Sequence, residues 1–198
     1  LNQEPGIRNQ NELLRIAAAI EAKSEHPLAE AIVKKAKEEK IELLEVSEFA
    51  AVPGHGVKGK VENFDVLFGN RKLMSENKII IKLEDQKIGE KLESDGKTVM
   101  FLAVNLELAG MIAVADTIKE TSVEAIVELK KMGLKTLMIT GDNKRTGEAI
   151  GRQVGIDEVL SEILPEQKAD EIKKLQNNKL KIKNYVAMVG DGINDAPA

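Results

Sequence analysis

Hydrophobic residues in the first half of the chain follow two different periodicities. Residues 11–22 place apolar side chains on one face of a helix. A second helix is predicted from Pro27 to about residue 39, because proline is favoured at the first helical position. Residues 41–68 then alternate between apolar and polar positions and contain proline and glycine, which predicts three strands with a hairpin near Asn63.

The pattern continues with a short helix near Arg71, a longer helix over residues 82–93 and two β-rich runs on either side of Asn105. Alternating strands that connect through short turns are typical of an antiparallel sheet. The first half is therefore predicted to be an antiparallel sheet that carries helices.

The second half combines short, continuously apolar runs with amphipathic helices. Helices are predicted after residue 120, after residue 142 and from Pro165. Apolar strands are predicted near residues 134–140, 157–163 and 185–190. Because continuously apolar strands separated by helices form parallel sheets with both faces covered, this half is predicted to be a parallel α/β domain. The change of pattern predicts two domains, residues 1–112 and 113–198.

Composition excludes several classes of function. The 198 residues include 33 acidic and 29 basic side chains, which gives a net charge of −4, and only 3% are aromatic. Neither feature favours binding of nucleic acid. The absence of cysteine excludes disulfides and thiolate metal sites. Without a run of ~18 apolar residues or a signal peptide, the chain is predicted to be soluble and cytoplasmic.

Two predicted parallel strands end in acidic loops that contain glycine. The first loop, "TGDN", follows the strand near residues 134–140. The hydroxyl of Thr140 and the N-terminus of the next helix could hold phosphate oxygens, although Asp142 or Asn143 could equally be only the N-cap of that helix. Lys168, at the start of a later helix, could reach a phosphoryl group, but such a lysine is more often simply solvated.

The second loop, "GDGINDAPA", begins at Gly190 and follows the last apolar run. The carboxylate of Asp191 suits a hard divalent cation such as Mg²⁺, which takes oxygen ligands. Asn194 and Asp195 add an amide and a second carboxylate. The alternative is an ordinary turn, for which glycine, asparagine and aspartate are the usual residues.

The first half contains a different candidate, "GHGVKG", in which Gly54, Gly56 and Gly59 match the spacing of a dinucleotide-binding turn. That turn requires a following helix, and the sequence here predicts a strand, so a Rossmann turn is rejected. The glycines could still admit a flat ligand, or form a plain β-turn. His26 could stack on a base or be structural, and Glu21 by default is a solvated surface carboxylate.

Taken together, these motifs resemble the catalytic cytoplasmic region of the heavy-metal-transporting P-type ATPases. "SEHPLAEAIV" is similar to the family's His-Pro motif and "GHGVKG" to its glycine element. "TGDN", "PEQK" and "GDGINDAPA" are similar to its phosphorylation-domain motifs, in the same order. The resemblance covers essentially the whole chain. It implies an antiparallel-sheet nucleotide-binding domain followed by a parallel α/β domain of the haloacid-dehalogenase-like fold.

The resemblance also implies roles for individual residues, with ATP and Mg²⁺ as ligands. The adenine side of the pocket would be formed by Glu21, His26, Gly54 and Gly56. The transferring phosphoryl group would be contacted by Thr140, Gly141, Asp142 and Lys168. The Mg²⁺ site would comprise Asp191 and Asp195, completed by Asn194. Asp116 would belong to a hinge between the domains, unless it is only the N-cap of the helix that begins near Lys119.

The sequence departs from the family in one respect. The phosphorylated aspartate of the family belongs to an Asp-Lys-Thr-Gly-Thr motif, which these residues do not contain. The resemblance implies that this motif and the first strand of the second domain precede Leu1. This chain is therefore expected to bind nucleotide, to lack turnover, and to be the cytoplasmic portion of an integral membrane protein, joined there to the remaining domains of the pump.

The sequence leaves the transported ion and two alternative functions open. "SEHPLAEAIVKKA" and "FGNRKLM" look most similar to copper pumps, with zinc or cadmium as alternatives. A soluble phosphatase of the same fold would also require an aspartate nucleophile near its own N-terminus, and none is visible. A non-catalytic nucleotide-binding module is the second rival.

Overall fold

The structure, a computed structural model, describes residues 9–24, 26–115, 118–177 and 185–190. The chain divides into two compact units between residues 116 and 117. Both units mix helices and strands, but their sheets differ. The first unit has an antiparallel sheet of five strands, and the second has a parallel pair of strands. The predicted fold class, an antiparallel α+β half followed by a parallel α/β half, is confirmed.

The first unit is a five-stranded antiparallel meander with two pairs of helices. Its helices are α1 (Gln10–Glu21), α2 (Pro27–Glu38), α3 (Arg71–Glu76) and α4 (Leu83–Ser94). Its strands are β1 (Val46–Val52), β2 (Gly56–Val61), β3 (Phe64–Gly69), β4 (Lys97–Val104) and β5 (Glu107–Ala115), which neighbour one another in sequence order.

Helices cover both faces of this sheet. Residues 16–21 of α1 are all buried, and α1 and α2 share one core cluster with Val57, Phe68 and Leu102 of the sheet. The opposite face packs α3 and α4 around a second cluster that contains Phe101. Because side chains alternate between the faces of a strand, Leu102 and Phe101 of β4 enter different cores. The sheet is therefore held between two layers of helices.

The second unit contains α5 (Glu120–Lys131), β6 (Leu137–Ile139), α6 (Lys144–Val154), β7 (Glu158–Leu160) and α7 (Pro165–Asn177). β6 and β7 pair in parallel, from Leu137 opposite Glu158 to Ile139 opposite Leu160. Helix α5 has no fully buried residue, and Val123 and Val127, which lie four positions apart on one face, are 41% and 44% exposed. Its apolar stripe is therefore only partly covered within the described residues.

The prediction of a strand at residues 185–190 is wrong in this structure. These residues form no strand, and Tyr185 and Val189 are 95% and 97% exposed. The apolar composition predicted a buried strand, but a strand needs a neighbour to pair its backbone groups. Within the described part of the chain, no strand pairs with this segment.

None of the helices in the described ranges is both long and apolar enough to cross a membrane.

Replacing Phe68 with alanine tests the packing of the first unit. Phe68 is fully buried against α1 and α2, so Phe68→Ala should lower the free energy of unfolding of this unit by about 3 to 5 kcal/mol. Urea unfolding, monitored by the exchange of the amide protons of β3 and β4, measures this decrease in the free energy of unfolding. Ile80→Ala is the matched control, because Ile80 is 82% exposed and its truncation should change stability by about 0.5 kcal/mol or less. Equal losses for both variants would contradict the described core.

Candidate functional site

A tight turn joins β1 to β2 and exposes bare backbone. Gly54 has φ of 70° and Gly56 has φ of 141°, which are both conformations that favour glycine. A side chain at Gly56 would also collide with the carbonyl oxygen of Phe68 on β3. The turn closes through a hydrogen bond of 2.9 Å from the His55 amide to the Val52 carbonyl. Gly56 begins β2, so a strand and not a helix follows the turn. A Rossmann turn needs a helix at that position, so its rejection agrees with the structure.

Asn70, which lies between β3 and α3, contacts this turn through hydrogen bonds. Its side-chain amide donates to the carbonyl of Gly54 at 3.0 Å, and its backbone amide donates to the carbonyl of His55 at 2.9 Å. Its Oδ1 accepts from the Leu73 amide at 3.0 Å, which makes Asn70 the N-cap of α3. Asn70 lies in "FGNRKLM", but no role was predicted for it individually. Its only signal was an asparagine directly before a helix, which is common.

Glu21 is buried rather than solvated, so the default interpretation of this residue was wrong. It is the last residue of α1 and is 4% exposed. Its Oε2 has no hydrogen-bond partner among the described residues. Burial raises the pKa of the Glu21 carboxyl above its usual value, and a hydrogen bond with Ser24 opposes that shift. The run of small and apolar residues before it, "IAAAI", indicates a helix buried around much of its circumference and could have predicted this.

His26 has a defined orientation at the start of α2. It is the N-cap of that helix, and its Nδ1 accepts a hydrogen bond of 3.2 Å from the Leu28 amide. An imidazole nitrogen that accepts carries no proton, so in the neutral ring the proton is on Nε2. His26 is exposed. The residue therefore combines a structural role with a ring that presents an N–H donor.

In the second unit, the loop after β6 folds the Asp142 carboxylate back onto Thr140. The Thr140 hydroxyl donates to Oδ2 of Asp142 at 2.7 Å and accepts from the Asp142 amide at 3.1 Å. Asn143 is the N-cap of α6: its Oδ1 accepts from the Thr146 amide at 3.1 Å, and its Nδ2 donates to the Thr146 hydroxyl at 3.0 Å. Of the two residues proposed as the cap, Asn143 has that role and Asp142 does not.

The same loop is joined to the segment that leads into α7. The Glu162 amide donates to the Asp142 carbonyl at 2.9 Å, and the Ile163 amide donates to the Thr140 carbonyl at 3.1 Å. α7 begins shortly afterwards, and the half-buried Lys168 lies in its first turn. Gly141 is exposed between Thr140 and Asp142. This end of the β6–β7 pair therefore carries a hydroxyl, a carboxylate and the N-terminus of α6.

The predicted Mg²⁺ residues Asp191, Asn194 and Asp195 lie outside the described residues, as does Asp116. Among the residues that the structure describes, no group of three or more histidine or acidic side chains could hold a metal ion. The assignment of Mg²⁺ to Asp191 and Asp195 thus stays a prediction from sequence.

The chain belongs to the haloacid dehalogenase-like hydrolases, whose family model matches residues 1–198. Within that class, it is similar to copper-exporting P-type ATPases of Staphylococcus aureus. It is 51% identical to those of strains JH9 and MW2 over 188 residues, which is 95% of this chain and 23% of theirs. The chain therefore spans less than a quarter of the length of these curated relatives.

Two solved structures of related transporters are also similar. A zinc-transporting PIB-type ATPase in an E2.Pi state is 34% identical with a TM-score of 0.59, over 98% of this chain and 30% of that one. The catalytic domain of the CPx-ATPase CopB-B, studied upon nucleotide binding, is 28% identical with a TM-score of 0.66, over 96% of this chain and 64% of that one. The predicted resemblance to heavy-metal-transporting P-type ATPases is confirmed.

The buried Glu21 carboxyl predicts a specific dependence of stability on pH. Because its pKa in the folded chain is above the usual value of 4.5, the folded state binds more protons than the unfolded state between those two pKa values. The Glu21 carboxyl therefore lowers the free energy of unfolding once it ionises. This destabilisation is absent below pH 4.5 and develops as the pH rises through the pKa of the folded chain. Glu21→Gln should therefore gain stability relative to the wild type as the pH rises, and urea unfolding at a series of pH values measures this difference.

Glu45→Gln is the control for this measurement, because Glu45 is exposed. The difference in stability between this variant and the wild type should not follow the same pH course. If the wild type instead gained stability relative to Glu21→Gln as the pH rose, the carboxylate would be stabilised in the folded chain and the described burial would be wrong.

Proposed function

We propose that this chain is the ATP-binding region, with part of the phosphorylation region, of a copper-exporting P-type ATPase. The observation that carries the proposal is the 51% identity to copper exporters over 95% of the chain. The first predicted domain, residues 1–112, would bind the nucleotide, and residues 113–198 would contact the phosphoryl group. In the intact pump, on the cytoplasmic side, ATP would phosphorylate an aspartate that these residues do not contain, and hydrolysis would drive copper across the membrane.

The environment of Glu21 supports an adenine-binding role for the first unit. A buried carboxyl oxygen without a hydrogen-bond partner is unfavourable for stability, so a ligand that donates to it would recover the lost interaction. Adenine presents an exocyclic amino group, which is a donor. Guanine presents a carbonyl oxygen at the same ring position, which would face the carboxyl as a second acceptor. The Glu21 carboxyl would therefore favour adenine over guanine.

His26 and the Gly54–Gly56 turn would provide the remaining contacts with the base. The imidazole ring is held in one orientation by its bond to the Leu28 amide, so ring stacking and donation from Nε2 would cost little further ordering. Gly54 is exposed and has no side chain, which would let a flat ring approach the backbone closely. At Gly56 the missing side chain instead lets β3 pack against the turn, so Gly56 would contribute by fixing the shape of the turn.

The phosphoryl group would be held in the second unit. Thr140 could turn its hydroxyl from Asp142 to a phosphate oxygen, and the backbone amides near the N-terminus of α6 favour an anion. Lys168 would neutralise charge in the transferring group. Phosphoryl transfer depends chiefly on positioning and charge stabilisation, which these groups can supply. Mg²⁺, when bound by Asp191 and Asp195, would supply further neutralisation of phosphate charge.

A substitution at His26 separates its two roles. His26→Asn keeps an N-cap that accepts from the backbone of α2 but removes the ring. We expect unchanged helix stability and roughly tenfold weaker binding of ATP and AMP, since stacking on an aromatic ring is worth about 1 to 3 kcal/mol. NMR titration with ATP, AMP and GTP measures affinity, and the wild type should respond more strongly to adenine than to guanine. Wild-type affinity in His26→Asn would restrict His26 to capping, and equal responses to GTP would contradict the adenine pocket.

The chain itself should bind ATP without sustained hydrolysis. No Asp-Lys-Thr-Gly-Thr motif occurs in its sequence, so the aspartyl-phosphate intermediate of the pump cannot form on it. A coupled phosphate-release assay with ATP and Mg²⁺ should give the rate of a blank, and Asp142→Asn should give the same rate. Sustained release that Asp142→Asn abolished would show that another nucleophile acts, and would favour the phosphatase interpretation.

A further inference from the structure

A partly buried ion pair joins α3 to α4 on the face of the sheet opposite to α1 and α2. Nη2 of Arg71 lies 3.0 Å from Oε1 of Glu93, and the side chains are 30% and 3% exposed. The Arg71 guanidinium also lies over the ring of Phe101, with 5.0 Å between the central carbon and the ring centroid. Arg71 is therefore fixed by charge on one side and by an aromatic ring on another.

Gly89 in the middle of α4 makes room for this arrangement. A methyl group at that position would lie 2.9 Å from Nη2 of Arg71 and 3.4 Å from the ring of Phe101. Glycine is a poor helix former, so its presence inside α4 costs local stability. Helix α4 therefore has a poor helix former at the position where the Arg71 guanidinium needs space.

The ion pair is connected to the turn of the candidate nucleotide site through consecutive residues. Arg71 is the first residue of α3, and the preceding Asn70 is the N-cap of that helix. Asn70 binds both Gly54 and His55 of the turn by hydrogen bonds of 3.0 and 2.9 Å. Rotation or fraying of the first turn of α3 would therefore displace Asn70 and, with it, the turn.

Stability alone is a weak explanation for this pair. Removing the Glu93 carboxylate and part of the Arg71 guanidinium from water costs free energy that their attraction offsets only in part, and an apolar pair of similar volume often stabilises as well. In addition, Nη1 of Arg71 is buried with no hydrogen-bond partner in the described parts of the chain. An ion pair with a hydrogen bond is directional, so it fixes the orientation of Arg71 at the start of α3. An apolar contact is not directional and would not fix this orientation.

We propose that Arg71 and Glu93 form a positioning pair that holds Asn70, and through it the Gly54–Gly56 turn, in the geometry that accepts the adenine nucleotide. This inference rests on the proposed nucleotide site. Neither residue touches the ligand in this scheme. Their contribution is the orientation of α3, so their loss weakens binding without removing a contact from the site.

The test uses the whole 198-residue chain and AMP, which lacks the transferring phosphoryl group. The double variant Arg71→Met/Glu93→Leu replaces the ion pair with apolar side chains and avoids leaving a buried charge unpaired. Isothermal titration with AMP should show about tenfold weaker binding, as expected when a supporting group is removed from a preorganised site. Urea unfolding should show a stability close to that of the wild type.

A second readout follows the turn without any ligand. Exchange of the Asn70 amide proton, which is bound to the carbonyl of His55, should be faster in the double variant, and the amide resonances of Gly54 and Gly56 should shift. Lys60→Met is the matched control, since Lys60 pairs with Glu48 at 2.8 Å on the surface of the same sheet. It should alter neither AMP affinity nor Asn70 exchange.

The outcomes separate this inference from the function on which it rests. If the folded double variant bound AMP as tightly as the wild type, with unchanged exchange at Asn70, the pair would be structural only and the inference would be overturned by itself. If the wild type failed to bind AMP, the proposed nucleotide site would be overturned and this inference with it. Weaker binding together with faster Asn70 exchange at unchanged stability supports the positioning role.

Discussion

The burial of β3 and β4 between two layers of helices is the constraint on which the first unit depends. Phe68 enters the core beneath α1 and α2, whereas Phe101 enters the core beneath α3 and α4. Since neither strand has a solvated face over these residues, the register of the sheet cannot slip without exposing one of the two rings. That register places Gly69 opposite Gly56 and fixes where β3 ends. The turn, Asn70 and the start of α3 all follow from that end point.

The groups that matter most for the proposed binding are those that cost the folded chain stability. The Glu21 carboxyl is buried with an unsatisfied oxygen, and the Arg71 guanidinium has a buried nitrogen without a partner among the described residues. Gly56 and Gly54 occupy conformations that favour glycine. Unfavourable groups of this kind concentrate at sites that a ligand completes. The remainder of the unit, a tightly packed sheet with helices, compensates for them.

The sequence predicted the elements well because their periodicity reports burial directly. α1 runs from Gln10 to Glu21, one residue earlier at each end than predicted, and the hairpin between β2 and β3 lies where Asn63 indicated. The prediction of a strand at residues 185–190 was wrong because an apolar run indicates burial but does not show whether a neighbouring strand is present to pair with it. Pattern alone is local, whereas the pairing of a parallel strand depends on distant segments.

Side-chain environments at the candidate site were harder to predict than the elements that carry them. Residue type and spacing identified the turn, His26 and the loop after β6. They could not show that Glu21 is buried, that Asn143 rather than Asp142 caps α6, or that Asn70 holds the turn. Each of these depends on which group lies within hydrogen-bonding distance of a given polar atom in the folded chain. That is determined by packing rather than by composition.

The position of His26 at the start of α2 has a thermodynamic consequence. One nitrogen of the ring accepts from the Leu28 amide while the other remains available to a ligand. A ligand that restrains the ring must also restrain the first turn of α2, and by reciprocity any change that loosens that turn must weaken the ligand. In the proposed nucleotide site, the order of the first turn of α2 and the fraction of chains with ligand bound would then report the same equilibrium.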